Sequence, residues 1–286
     1  MKPSGNRIKS PLAGGHLSRF RGRGMDYLES RHYQPGDDVR SMDWRVTART
    51  GAPYLKVYVE ERERPVVAVV DLRRDMHFAT RGVFKSVQAA RVAALIGWAA
   101  ISLGDRFGAL IMNGGHRECQ PRGGKRGVLR VIEALTATDK AAVQQQPEDN
   151  MTRSLERLRR VTRPGSLIIL ISDFLEMDDN TERHLNELAR HNNLLAIQII
   201  DPLEQVILTV GDYGVSDGAS RAVLNIRKKQ DAEDLQAYFQ SRHERARSVF
   251  QALGAPMIQL MTTDNVAQVL NAELGGRARK QRTGIT

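Results

Sequence analysis

Between Tyr33 and Arg49 the chain reads YQPGDDVRSMDWRVTAR. A Pro35-Gly36 turn leads into Asp37, Asp38 and Asp43, interleaved with Arg40, Arg45 and Arg49 around Trp44. Clustered carboxylates can act as acids or bases or hold a hard metal ion, and clustered guanidinium groups can bind anions. Neither histidine, cysteine nor a cradle of glycines accompanies these residues between 33 and 49, so catalytic and zinc readings have little support. Alternating signs at short spacing favour mutual pairing: Asp37 or Asp38 with Arg40, and Asp43 with Arg45 or Arg49. The stretch is expected to dock the N-terminal segment onto the rest of the chain, with a partner surface as the alternative.

No other constellation joins a nucleophile, a base and a charge stabiliser. None of the seven histidines forms an HxxxH or HExxH pattern. Gly123-Gly124-Lys125 lacks the spacing and the preceding buried strand of a phosphate loop. Cys119 has no flanking signature and reads as an inert thiol on an edge strand. As the single cysteine it excludes an intrachain disulfide and a Cys-based zinc site, which suits a reducing compartment. The sequence therefore asks for no enzyme.

The formal net charge is +10, from 43 Lys+Arg against 33 Asp+Glu, over 286 residues. Residues 1–24 and the tail 275–286 are basic and one-signed, and both are expected to be flexible. They could attract a polyanion, but 5% aromatics and no reader motif argue against nucleic acid as the main partner. The N-terminus has no apolar signal region, and the longest apolar run, 92–103, is too short to span a bilayer. A cytoplasmic protein, not embedded in a membrane, is expected.

The elements that must position these groups follow from periodicity. Residues 51–64 read as a strand with one wet face and then a charged connection, closing an N-terminal β segment over 25–64. VVAVVD ending at Asp71, SLIILISDF containing Asp173, and NLLAIQIIDP ending near Asp201 are apolar runs typical of strands buried on both faces. Between them, FKSVQAARVAALIGWAAISL places Phe84, Val87, Ala94, Leu95, Trp98 and Ile101 at helical spacing. Asn113-Gly114-Gly115 predicts a hairpin to an antiparallel edge strand. A hairpin excursion near 205–227, a long helix near 231–253, a last strand and a closing helix capped by Asp264 complete the domain over 65–274. Asp179 or Asn180 is expected to cap the helix after the Asp173 strand. Alternating strands and helices predict a doubly wound α/β fold with a mostly parallel sheet.

RHYQPGDDVRSMDWRVTART, LKVYVEERERPVVAVVDLRRDM, GDRFGALIM and LIILISDF together resemble a bacterial family, domain of unknown function 58. The most specific matching positions are Gly36, Asp37, Asp38, Arg40, Asp43 and Trp44, with Arg49 close behind. The resemblance implies a von Willebrand factor A-like domain and a role beside a MoxR-type AAA+ ATPase. It implies no reaction. Adhesion-type domains of that fold hold Mg²⁺ through a D-x-S-x-S motif, but here the motif reads Asp71-Leu72-Arg73-Arg74-Asp75. Asp173 matches the aspartate after the later strand, and only Thr136 or Thr138 is available as the threonine. Either Asp71, Asp75 and Asp173 hold Mg²⁺ or Mn²⁺ in a modified site, or Arg73 or Arg74 neutralises Asp71 and Asp173 in place of a metal. The second is preferred, because a guanidinium offers fixed forked donors and keeps its charge. In a third reading these aspartates only cap loops and helix ends. The expected function is a non-enzymatic interaction module that needs no cofactor and works with the ATPase on a protein client. A metal-dependent ligand-binding domain and polyanion binding through the basic ends are the alternatives.

Overall fold

The structure, a computed structural model, describes residues 25–60, 63–113, 116–141, 151–206, 208–216 and 221–283. The basic segment 1–24 lies outside the described residues. The chain divides into two compact units, meeting in sequence between residues 63 and 64.

The smaller unit contains an antiparallel pair, β1 (Met25–His32) and β2 (Tyr54–Glu60). The connection holds a 3-10 turn (Val39–Ser41) and a short helix, α1 (Trp44–Thr50), so the motif is not purely β. Asp38 accepts from Arg40 N and caps the 3-10 turn, while Asp43 accepts from Val46 N and caps α1. A run of alternating charges had hidden both caps, since Ser/Asp-type capping depends on backbone conformation rather than on the charge pattern.

The larger unit starts with β3 (Pro65–Asp71), α2 (Lys85–Ser102), β4 (Arg106–Met112) and β5 (His116–Arg122). Then come α3 (Gly124–Ala141), α4 (Met151–Val161), β6 (Leu167–Ser172), α5 (Asp179–Ala189) and β7 (Asn193–Ile200). The hairpin β8 (Gly211–Ser216) and β9 (Arg221–Ile226), α6 (Lys229–Ala252), β10 (Met257–Met261) and α7 (Val266–Thr283) complete it. Six strands form one sheet in the order β10-β7-β6-β3-β4-β5, parallel except for β5 at the edge. This is the doubly wound α/β fold that the alternation and the resemblance implied.

Alternate residues of β3 feed two cores, as the period-2 strand geometry requires. Val66, Ala68 and Val70 pack with α2, α3 and α7, whereas Val67 and Val69 face α4, α5 and α6. On α2 the buried side is the small-residue side: Ala89, Val92, Ala93, Ile96 and Ala100 face the sheet. Phe84, Leu95 and Trp98, which the sequence places at helical spacing, are 40%, 40% and 39% exposed. The reason is steric. A Cβ at Gly97 would lie 2.6 Å from the Phe107 ring, so α2 must turn small residues toward β4.

Helix ends differ in detail from expectation. Asp178, not Asp179 or Asn180, caps α5 by accepting from Thr181 N at 2.7 Å. Asn265 accepts from Gln268 N at the start of α7, while Asp264 instead accepts from Met261 N. The same α7 runs on to Thr283, into the segment read from sequence as a flexible tail.

Candidate functional site

Chain order places β4 on one side of the first strand, β3, and β6 on the other, so the topology reverses between β3 and β6. In open α/β sheets the ligand crevice lies at the carboxyl ends of strands at such a point. Asp71, the last residue of β3, and Ser172 and Asp173, at the end of β6, are all buried there.

Arg73 turns back onto Asp71 in a forked pair. Its Nε donates to Oδ1 at 3.0 Å and its Nη2 to Oδ2 at 2.8 Å, and its backbone N also donates to Oδ1 at 3.1 Å. Ser172 Oγ donates to Asp71 Oδ2 at 2.7 Å. Burial alone would raise the Asp71 carboxyl, but the Arg73 charge and these hydrogen bonds hold it below the usual carboxylate range. The other side of the fork, Nη1, reaches Glu176 Oε2 at 2.7 Å on the exposed rim.

Asp173 has a different partner. Lys85 Nζ lies 3.2 Å from Asp173 Oδ2, also pairs with Glu204, and is 2% exposed. A cation in the first turn of a helix opposes the helix dipole, so Lys85 sits there for the carboxylates and not for α2. Burial pulls the Lys85 ammonium down, but Asp173 and Glu204 outweigh it and the group ends raised. Burial pushes Asp173 up, and Lys85 does not fully offset this because Asp71 and Glu204 add negative charge nearby. Glu204 is held low against its burial by a 2.9 Å contact with His243 Nε2 and by Lys85. Asp201, after β7, takes Thr80 N at 2.8 Å and Thr262 Oγ1 at 3.1 Å, so it ties the α2 approach to the end of β10.

The backbone after β6 is shaped for this arrangement. Phe174 has φ 58°, a left-handed conformation that a bulky side chain adopts at a cost of about 1–3 kcal/mol. Its N–H donates to Ser172 Oγ at 3.1 Å, and its ring packs edge-on against Phe250 at 5.0 Å. The sharp turn brings Leu175 N onto Asp173 Oδ1 and fixes that carboxylate.

Of the five crevice residues expected from sequence, Asp71, Arg73 and Asp173 therefore converge. Asp75 and Arg74 are exposed in the 3-10 turn Arg74–Met76. Asp75 is raised by partial burial and by Glu176 and Asp173. Arg73 neutralises Asp71 but not Asp173, whose counter-charge is Lys85. Lys85, Glu204, His243 and Ser172 were missed, although a lysine on the Ala89–Val92–Ile96 side of α2 was a visible signal. Thr136 Oγ1 bonds to Ile132 O within α3 and Asn113 Nδ2 reaches Thr138 O, so neither threonine hydroxyl is shown at the crevice.

A resident Mg²⁺ or Mn²⁺ would need the Asp71 and Asp173 oxygens, which already accept from a guanidinium, a hydroxyl, an ammonium and a backbone N–H. Among the described residues no group of three or more His, Cys, Asp or Glu could hold a metal ion. As arranged, the donor set does not fit a divalent ion. Cys119 is buried, and burial pushes its thiol up, away from nucleophilic use.

In the smaller unit the expected pairing of the motif fails. Asp37 pairs with Arg31 at 2.6 Å and also takes Gln34 N, Asp38 caps the 3-10 turn, and Asp43 caps α1 and takes Ser30 Oγ at 2.7 Å. Each carboxylate serves the local backbone, and Arg40, Arg45 and Arg49 are left exposed beside Trp44. Gly36, with φ 101°, makes the turn that a side chain would strain.

Uncharacterised proteins of Mycobacterium bovis and Mycobacterium tuberculosis are each 32% identical over 259 residues, covering 90% of this chain and 80% of their own. Among solved structures, BatB of Bacteroides thetaiotaomicron aligns with 76% of this chain and 99% of its own at 11% identity, TM-score 0.49. A von Willebrand factor type A protein of Catenulispora acidiphila aligns with 78% of this chain and 43% of its own at 12% identity, TM-score 0.42. The family model for "Protein of unknown function DUF58" matches residues 29–249, and the chain belongs to that family.

Proposed function

We propose that the protein is a non-enzymatic interaction module whose switch-point crevice contacts a partner protein. The observation that carries this is the forked Arg73–Asp71 pair, which occupies the carboxylate a metal-dependent domain would offer. Internal neutralisation leaves Asp75, Arg74 and Glu176 exposed at the rim, where a partner could reach them. The family resemblance suggests the finer reading: a cytoplasmic partner of a MoxR-type AAA+ ATPase, acting with it on a protein client.

The test is titration of the purified chain with a MoxR-type ATPase from the same organism. A complex is expected, weakened at least about tenfold by Asp75→Arg with Glu176→Arg, as for a central contact. Failure to bind, or binding indifferent to both changes, removes the reading. The metal-dependent alternative has its own readout. Millimolar Mg²⁺ or Mn²⁺ is expected to leave the thermal midpoint unchanged, and a rise of several degrees would favour that alternative instead.

A further inference from the structure

Trp44 is 69% exposed and Val39 56%, although a large aromatic side chain normally gains from burial. On α1 the exposed residues are Trp44, Arg45, Ala48, Arg49 and Thr50, while Val46 and Thr47 are half-buried. Residues four apart lie one above the other on a helix, so Trp44 and Ala48 form an apolar stripe beside a basic stripe of Arg45 and Arg49. Arg40, in the 3-10 turn just before, is also exposed. None of these three arginines has a carboxylate partner among the described residues, because Asp37, Asp38 and Asp43 are all engaged elsewhere.

We infer that the outer face of α1, with Trp44 flanked by Arg45, Arg49 and Arg40, docks an acidic segment of a partner protein that lays an apolar side chain against Trp44. Exposed tryptophan and arginine are the side chains that most often dominate protein interfaces. Forked guanidinium groups match carboxylates, and an indole beside Ala48 leaves room for an aliphatic or aromatic anchor. Charge favours a protein over nucleic acid. Residues 25–63 carry eight Asp or Glu against six Lys or Arg, which is not the one-signed surface that tracks a phosphate backbone. The α1 face belongs to the smaller unit and the crevice to the larger one, and the inference does not rest on the function proposed for the crevice.

Displayed random dodecapeptides selected on the full-length chain provide the probe. Recovered sequences are expected to combine several Asp or Glu with a large apolar residue. A synthetic copy should lose at least about tenfold in affinity with Trp44→Ala and with Arg45→Glu plus Arg49→Glu, whereas the matching lysine pair, which keeps the charge but loses the fork, should fall in between. Glu176→Arg in the crevice should change nothing, so failure here and failure of the crevice reading are distinguishable. Peptides without acids, or binding indifferent to the α1 variants, overturn the inference. So does α1-dependent binding of an oligothymidylate with no binding of acidic peptides. The chain has two tryptophans, so in Trp98→Phe the emission reports Trp44 alone. Iodide should quench it readily. Protection at all concentrations would assign the face to the chain itself, and protection growing with concentration to a second copy, and either result overturns the inference.

Discussion

At the Asp71 carboxylate the positive charge comes from a side chain two residues away, and that choice has consequences for stability. Replacing Arg73 by Met would leave a fully buried carboxylate without its counter-charge, at a cost of about 3–5 kcal/mol in urea unfolding. Adding Asp71→Asn should recover part of this loss, because the uncompensated charge is then gone. The pH dependence has two signs. Asp71 lies below its unfolded value, so the unfolded chain takes its proton first, and the stability from this pair drains away as pH falls below about 4. Asp173 lies above its unfolded value, so its contribution is full at low pH and is lost as pH rises through the raised folded value. In unfolding midpoints measured from acid to neutral pH, Asp71→Asn should flatten the acid limb, and Asp173→Asn should remove the opposite slope above it. The Arg73–Asp71 pairing was legible in the sequence because the partners are two residues apart. Lys85–Asp173 was not, because 88 residues separate them and only the packing of α2 on the sheet brings them together.

At the scale of elements, the segment between β3 and α2 is the piece that locks the crevice. Thr80 bonds Asp201, and Val83 N donates to Thr262 O at 3.3 Å, so the loop is stitched to the ends of β7 and β10. Gly82, with φ 81°, passes so close to β10 that an added Cβ would meet Thr262 O at 2.4 Å. Gly82→Ala therefore combines backbone strain with a collision against main chain and should cost about 1–3 kcal/mol. It should also displace Lys85, which begins α2 three residues later, and so move the Asp173 titration. A urea midpoint indistinguishable from wild type would show that the loop relaxes freely. The strands themselves were readable from their unbroken apolar runs. The orientation of α2 was not, because large apolar residues occur on both of its sides and only the Phe107 ring decides which side fits.

At the scale of the whole molecule, the two units have very different means of support. The six-stranded sheet carries apolar cores on both faces. Between residues 29 and 57, Leu55 is the buried hydrophobic among the described side chains, and an isolated two-stranded pair is marginal in water. Amide hydrogen exchange should therefore be much faster in β1, α1 and β2 than in β3, β6 and β7, tracking local rather than global opening. Equal protection across both regions would contradict this. Among the described residues no helix is long and apolar enough to cross a membrane.

By itself the sequence determined the class of fold, the positions of its central strands and the aspartates that end them. Buried parallel strands leave continuous β-branched and aliphatic runs, and these need no long-range information to be seen. It also carried the motif that marks the family. Only the tertiary structure decided which charge meets which. Asp37, Asp38 and Asp43 turned to Arg31, Ser30 and backbone N–H groups, and Asp173 to a lysine on a distant helix. Ion pairs are chosen by distance after folding, and alternating signs along a chain say nothing about which side chains the turns and caps will bring within reach.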